Sequence, residues 1–155
     1  MNQTQTQTMA GSSAHDSPRP PAPATVADVM RPAPTTVERT AHVAAAAYLM
    51  KHAGTTALVV LDNEEDRPAG IITDTDVAHA VADGKDVNEV RLNDVMTADP
   101  ALVNGATTIR EAATIMSNSQ FRHLPVVDDS GLIGIVDIAA VSRALLDGQD
   151  DDAPD

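Results

Sequence analysis

The chain has no cysteine and no tryptophan, and Tyr48 and Phe121 are its two aromatic residues. Without cysteine there is no disulfide framework, thiolate zinc site or cysteine nucleophile. Two aromatics cannot build a stacking platform for single-stranded nucleic acid. Positive charge is also scarce: 10 Lys and Arg face 23 Asp and Glu, and a net charge of −13 repels a phosphate backbone, so nucleic acid is not expected as a partner. No apolar run approaches a membrane span, and no basic start leads into an apolar signal-peptide core. The expectation is a cytoplasmic protein with no membrane partner.

What the chain does have is repetition. Thr25 to Met30 (TVADVM) returns as Arg91 to Met96 (RLNDVM), and Asp28, Val29 and Met30 match Asp94, Val95 and Met96 at an offset of 66 residues. Pro34, Val37, Ala46, Met50, Leu58, Val60 and Asp62 keep that offset. A two-residue contraction before Gly134 then resets it to 64, and Gly70, Ile71, Val77, Ala80 and Gly84 pair with Gly134, Ile135, Val141, Ala144 and Gly148. Copies at 25–84 and 92–148, joined by a linker at 85–91, hold roughly 60 residues each, which is marginal for an independent core. They are expected to fold against one another, with two related clefts between them. Residues 1–24, rich in Pro, Gln, Thr and Ser, read as a disordered leader, and 149–155 as a disordered acidic tail.

Within each copy the apolar period changes from helix to strand. Val43, Ala46, Ala47 and Met50 stand at i, i+3, i+4 and i+7, one helical stripe that Ile109, Ala112, Ala113 and Met116 reproduce. Ala57 to Leu61 and Leu124 to Val127 read as buried strands. Second strands at Gly70-Ile71-Ile72 and Gly134-Ile135-Val136 lead into helices ending at Gly84 and Gly148. The fold class is α+β, with two units of strand, helix, strand, strand, helix.

D-V-M opening each copy, the run Leu124-Pro125-Val126-Val127-Asp128, and the G-h-h-T-x-x-D segment from Gly70 to Asp76 together resemble the cystathionine β-synthase (CBS) domain family across residues 25–148. The resemblance implies a Bateman module: two units packed through their sheets, often dimerising into a disc, and binding adenine nucleotides such as AMP, ADP or ATP between the units. Such modules sense rather than catalyse and require no cofactor. In the family pattern Thr73, after Ile71, offers its hydroxyl toward phosphate, and Asp76 accepts from the ribose hydroxyls. The base would lie against Pro100, Ala101 and Leu102, with Arg122 and His123 facing the phosphates. The second copy departs from the pattern, because Asp137 replaces the Thr and Ala140 the Asp, so one cleft is expected to be competent and the other vestigial. Thr75, where many relatives carry Arg, points to a mono- or diphosphate rather than a triphosphate.

A second reading of the same residues stays open. Thr73-x-x-Asp76 is also a capping box that needs no ligand, and Asp137 can cap the second closing helix alone. The chain would then be a ligand-independent homodimeric scaffold for a protein partner. His15, His42, His52, His79 and His123 show no metal-ligand spacing with a carboxylate, and no nucleophile triad, phosphate-binding loop or carboxylate pair appears, so neither metal nor enzyme is expected.

Overall fold

The computed structural model describes residues 23–63 and 67–152. Nearly all of the leader, and residues 153–155 of the tail, lie outside the described residues. The first sheet has the order β2 (Thr36–Glu38), β3 (Ala57–Leu61), β4 (Pro68–Thr73), β5 (Thr97–Ala98). The second has the order β1 (Arg31–Pro32), β7 (Gly131–Asp137), β6 (His123–Asp128). Helices α1 (Val43–Ala53) and α2 (Asp74–Ala82) bury their apolar stripes on the first sheet, and α3 (Ile109–Ser119) and α4 (Ile138–Asp152) on the second. The α+β class and the tandem architecture expected from the repeat are therefore present. The first strand of the second copy is reduced to a parallel bridge between Val103 and Val126, at the register where β2 joins β3 through Val37 and Val60.

The packing unit is not the sequence repeat, because each copy's opening segment crosses into the other copy. β1 of the first copy pairs antiparallel with β7 of the second (Pro32 with Gly134), and β5 of the second pairs with β4 of the first (Gly70 with Ala98). The 3-10 turns before them follow. Val26, in the turn Val26–Asp28, is fully buried in the second copy's core, and Leu92, in Leu92–Asp94, in the first copy's core. Each such side chain contributes about 1.5–3 kcal/mol of apolar burial that its own copy cannot supply.

The exchange also explains two repeated residue types. A Cβ on Gly70 would stand 2.6 Å from Met96 Sδ and 2.7 Å from the Thr97 carbonyl oxygen, and one on Gly134 would stand 2.7 Å from Met30 Sδ. The Met of D-V-M in one copy thus lies over the Gly of G-h-h in the other. Alternation along β3 then divides its side chains: Leu58 and Val60 face the helices, while Ala57 and Val59, with Ile71, meet Leu132 and Ile135 of the second sheet.

Two expected boundaries behave differently in the fold. The segment 85–91 does more than link, since the carbonyls of Val90 and Val87 accept from the N–H groups of Val43 and Ala44 at 2.9 Å. They satisfy the start of α1, where His42 provides no side-chain cap. The Ala24 carbonyl does the same for Ile109 at 3.2 Å. Helix α4 does not stop at Gly148 but runs through it to Asp152, so the first part of the expected disordered tail is helical backbone. Glycine inside a helix costs about 1 kcal/mol relative to Ala and does not forbid it.

Candidate functional site

A cavity of about 610 Å³ opens between the copies. Its first-copy wall is Thr56 entering β3, Ile71 and Thr73 near the end of β4, and Asp74, Thr75 and Asp76 on the first turn of α2. The second copy contributes Thr97 and Pro100, carried across by the exchanged opener, and the run Gln120-Phe121-Arg122-His123 entering β6.

Thr73 and Asp76 are placed by a reciprocal capping box. The Asp76 N–H donates to Thr73 Oγ1 at 3.1 Å, and the Thr73 N–H donates to Asp76 Oδ2 at 3.0 Å. Both groups are half-buried at the head of α2, where the helix dipole favours negative charge and the first-turn N–H groups are already engaged, those of Asp74 and Thr75 by the Thr56 carbonyl at 3.0 Å and Asp74 Oδ1 at 2.8 Å. The box fixes the carboxylate without exhausting it, because an ionised carboxylate has about four acceptor sites. Asp137 caps α4 alone, accepting from the Ala140 N–H at 2.8 Å.

Across the cavity Arg122 is exposed and makes no ion pair among the described residues. His123 is half-buried. Desolvation holds its imidazole below the ordinary value of 6.5, the carboxylates of Asp137 and Asp74 pull the other way, and the guanidiniums of Arg122 and Arg31 reinforce the lowering. At neutral pH the cavity therefore carries one full positive charge, on Arg122, opposite the acidic pair Asp74 and Asp76.

The pseudo-two-fold counterpart is a much smaller cleft of about 190 Å³. Arg31, Gly54, Thr55, Thr56 and Asp137 there stand where Thr97, Gln120, Phe121, Arg122 and Thr73 stand in the large one. His123 and Thr56 line both clefts.

Of the residues singled out from sequence, Ile71, Thr73, Asp76, Pro100, Arg122 and His123 meet in the large cavity. Ala101 and Leu102 are not on its wall. Ala101 packs on the second copy's core, and Leu102 is 46% exposed. The chain turns away from the cavity after Pro100 because Val103 must reach Val126 to close the second sheet. Sequence reasoning missed Thr56, Asp74, Thr97, Gln120 and Phe121. Thr56 could have been found, since it matches Arg122 at the repeat offset. No group of three His, Asp or Glu side chains that could hold a metal occurs among the described residues, and no helix there is long and apolar enough to cross a membrane.

Two α+β units that exchange their opening segments, with a cavity at their seam, define a tandem-repeat module. The CBS domain family model matches residues 26–83 and 92–147, and the chain belongs to this family. An uncharacterized 17.7 kDa protein of Acidianus ambivalens is 41% identical over 106 residues, covering 68% of this chain and 63% of its own length. Among solved structures, CBSX2 in complex with AMP is 30% identical with a TM-score of 0.64, the match covering 81% of this chain and 98% of that one. The CBS domain pair of protein MJ0100, in complex with 5′-methylthioadenosine and S-adenosyl-L-methionine, is 27% identical with a TM-score of 0.72, covering 83% and 99%.

Proposed function

We propose that this chain is a non-catalytic regulatory module that binds an adenine nucleotide in the cleft headed by Asp76. One observation carries the reading. Thr73 and Asp76 of one copy and Arg122 and His123 of the other line a single cavity of about 610 Å³, while the twin cleft has about 190 Å³ and an acid in place of the Thr. The larger volume lies within the roughly 300–1,000 Å³ of small-molecule sites and the smaller falls below it. The carboxylate of Asp76 suits vicinal ribose hydroxyls, and the dipole at the head of α2 together with Arg122 suits an anion. One Arg beside a largely neutral His and two carboxylates favours AMP or ADP over ATP. The complexes of CBSX2 with AMP and of MJ0100 with adenosine-derived ligands support adenosine as the common part. Binding joins α2 to the exchanged opener and so reports through the angle between copies or a homodimer equilibrium, which it shifts only by unequal affinity for the two states.

The test is thermal unfolding with AMP, ADP, ATP, NAD and S-adenosylmethionine, each variant compared with its own ligand-free midpoint. At 100 times the dissociation constant a ligand stabilises by about 2.7 kcal/mol, a shift of several degrees. AMP or ADP is expected to give it with the parent chain and not with Asp76→Ala. A second reading, a ligand-independent homodimeric scaffold, draws on the closed capping box and on exposed apolar side chains such as Tyr48 (61%) and Leu146 (62%). No midpoint shift with any ligand would favour it.

A further inference from the structure

Gln120 holds a backbone conformation that side chains with a Cβ avoid. It closes α3 in the left-handed region at φ 61, ψ 21, where glycine is the usual solution. The chain uses glycine at the matching position of the first copy, where Gly54 closes α1 at φ 67, ψ 36. Space does not dictate that difference, because a Cβ on Gly54 would meet nothing within 4 Å. What differs is the cleft each residue faces: Gly54 lines the one of about 190 Å³ and Gln120 the one of about 610 Å³. A side chain is kept in the strained conformation on the side with room for a ligand.

Its surroundings say which part of a ligand it would meet. Asp74 and Asp76 on the first-copy wall suit sugar hydroxyls, and Arg122 supplies the cation for phosphate. Gln120 adjoins Phe121, which with Pro100 gives the cavity apolar wall for an uncharged heterocycle. A primary amide presents one acceptor and two donors, matching an exocyclic amine and the ring nitrogen beside it. Resting on the nucleotide reading above, we propose that Gln120 is a specificity-determining residue whose amide reads the edge of the ligand's base.

The test uses the full chain, Gln120→Gly and Gln120→Ala, with AMP and ribose 5-phosphate as probes in calorimetry and ligand-free midpoints recorded alongside. Gln120→Gly is expected to raise the ligand-free midpoint by roughly 2–6 °C as the strain is released. It should also weaken AMP by roughly three- to tenfold, the loss of one or two neutral hydrogen bonds, and change ribose 5-phosphate by less than twofold. Gln120→Ala keeps the strain and loses the amide, so it should weaken AMP equally with no gain in midpoint. If Gln120→Gly binds AMP as the parent does, or weakens both probes alike, the role of Gln120 is overturned while the nucleotide reading stands. If the parent binds neither AMP nor ADP in the same titration, both fall.

Discussion

Gly70→Ala adds one methyl group at the seam between the copies and tests the exchanged-opener packing directly. The new Cβ would stand 2.6 Å from Met96 Sδ and 2.7 Å from the Thr97 carbonyl oxygen. The thioether can swing aside, but the carbonyl belongs to β5 and moves only if that strand lifts from β4. Lifting it breaks the pairing of Gly70 with Ala98 and Ile71 with Thr97. Overpacking of this kind costs about 1–3 kcal/mol, and a lost backbone hydrogen bond adds about 1 kcal/mol, so about 2–4 kcal/mol is expected. Gly134→Ala is the internal control: its methyl would lie 2.7 Å from Met30 Sδ and 3.0 Å from the Arg31 oxygen, a milder clash expected to cost about 1–2 kcal/mol. Urea unfolding at constant m-value measures both. Because Thr97 and Pro100 line the large cavity, Gly70→Ala should also weaken AMP binding, which Gly134→Ala leaves intact. A Gly70→Ala variant within about 0.5 kcal/mol of the parent would refute the exchanged packing.

Three further outcomes are expected. Leu92→Ala, at a side chain fully buried in the opposite copy, should cost about 2–5 kcal/mol in urea unfolding; a loss under about 1 kcal/mol would show that the opener does not seal that core. His123 has a folded pKa below 6.5, so the unfolded state binds more protons in the window beneath that value. Its contribution is complete above about pH 6.5 and lost as pH falls through the folded pKa, a slope that His123→Gln should remove in thermal unfolding from about pH 5 to 7.5. Asp28 and Asp128, lowered from 3.8 chiefly by hydrogen bonds from Thr25 and Ser130, act only at lower pH and leave that window clear. A phosphate beside His123 would draw a proton onto the imidazole, so the apparent AMP binding enthalpy should vary with the buffer's ionisation enthalpy; a buffer-independent enthalpy would remove His123 from the phosphate contact.

The fold was legible because the repeat carries its own internal comparison. Helix stripes such as Val43-Ala46-Met50 and strands such as Ala57–Leu61 depend on local period, which survives in both copies. The exchange of openers was not legible. Repetition aligns residues with the same role but does not say whether Met96 meets Gly134 of its own copy or Gly70 of the other. For the same reason the hydrogen bonds from Val43 and Ala44 to the segment 85–91 were invisible, since a backbone carbonyl has no sequence signature. Thr73 and Asp76 could be singled out by motif, and Arg122 and His123 by charge in an acidic chain. Gln120 and Phe121 could not, because they enter the wall through the left-handed turn after α3, a conformation that a Gln does not advertise. Ala101 and Leu102 were drawn in by proximity to Pro100, whereas sheet closure at Val103 carries them away.

The central claim is that one of two related clefts has kept the means to hold a nucleotide. Titration calorimetry of the full chain with AMP measures this as a stoichiometry. One molecule per chain is predicted, abolished by Asp76→Ala and unaffected by Ala140→Ser, the position that matches Asp76 in the second copy. Two equivalent molecules per chain, or equal loss from either substitution, would contradict it.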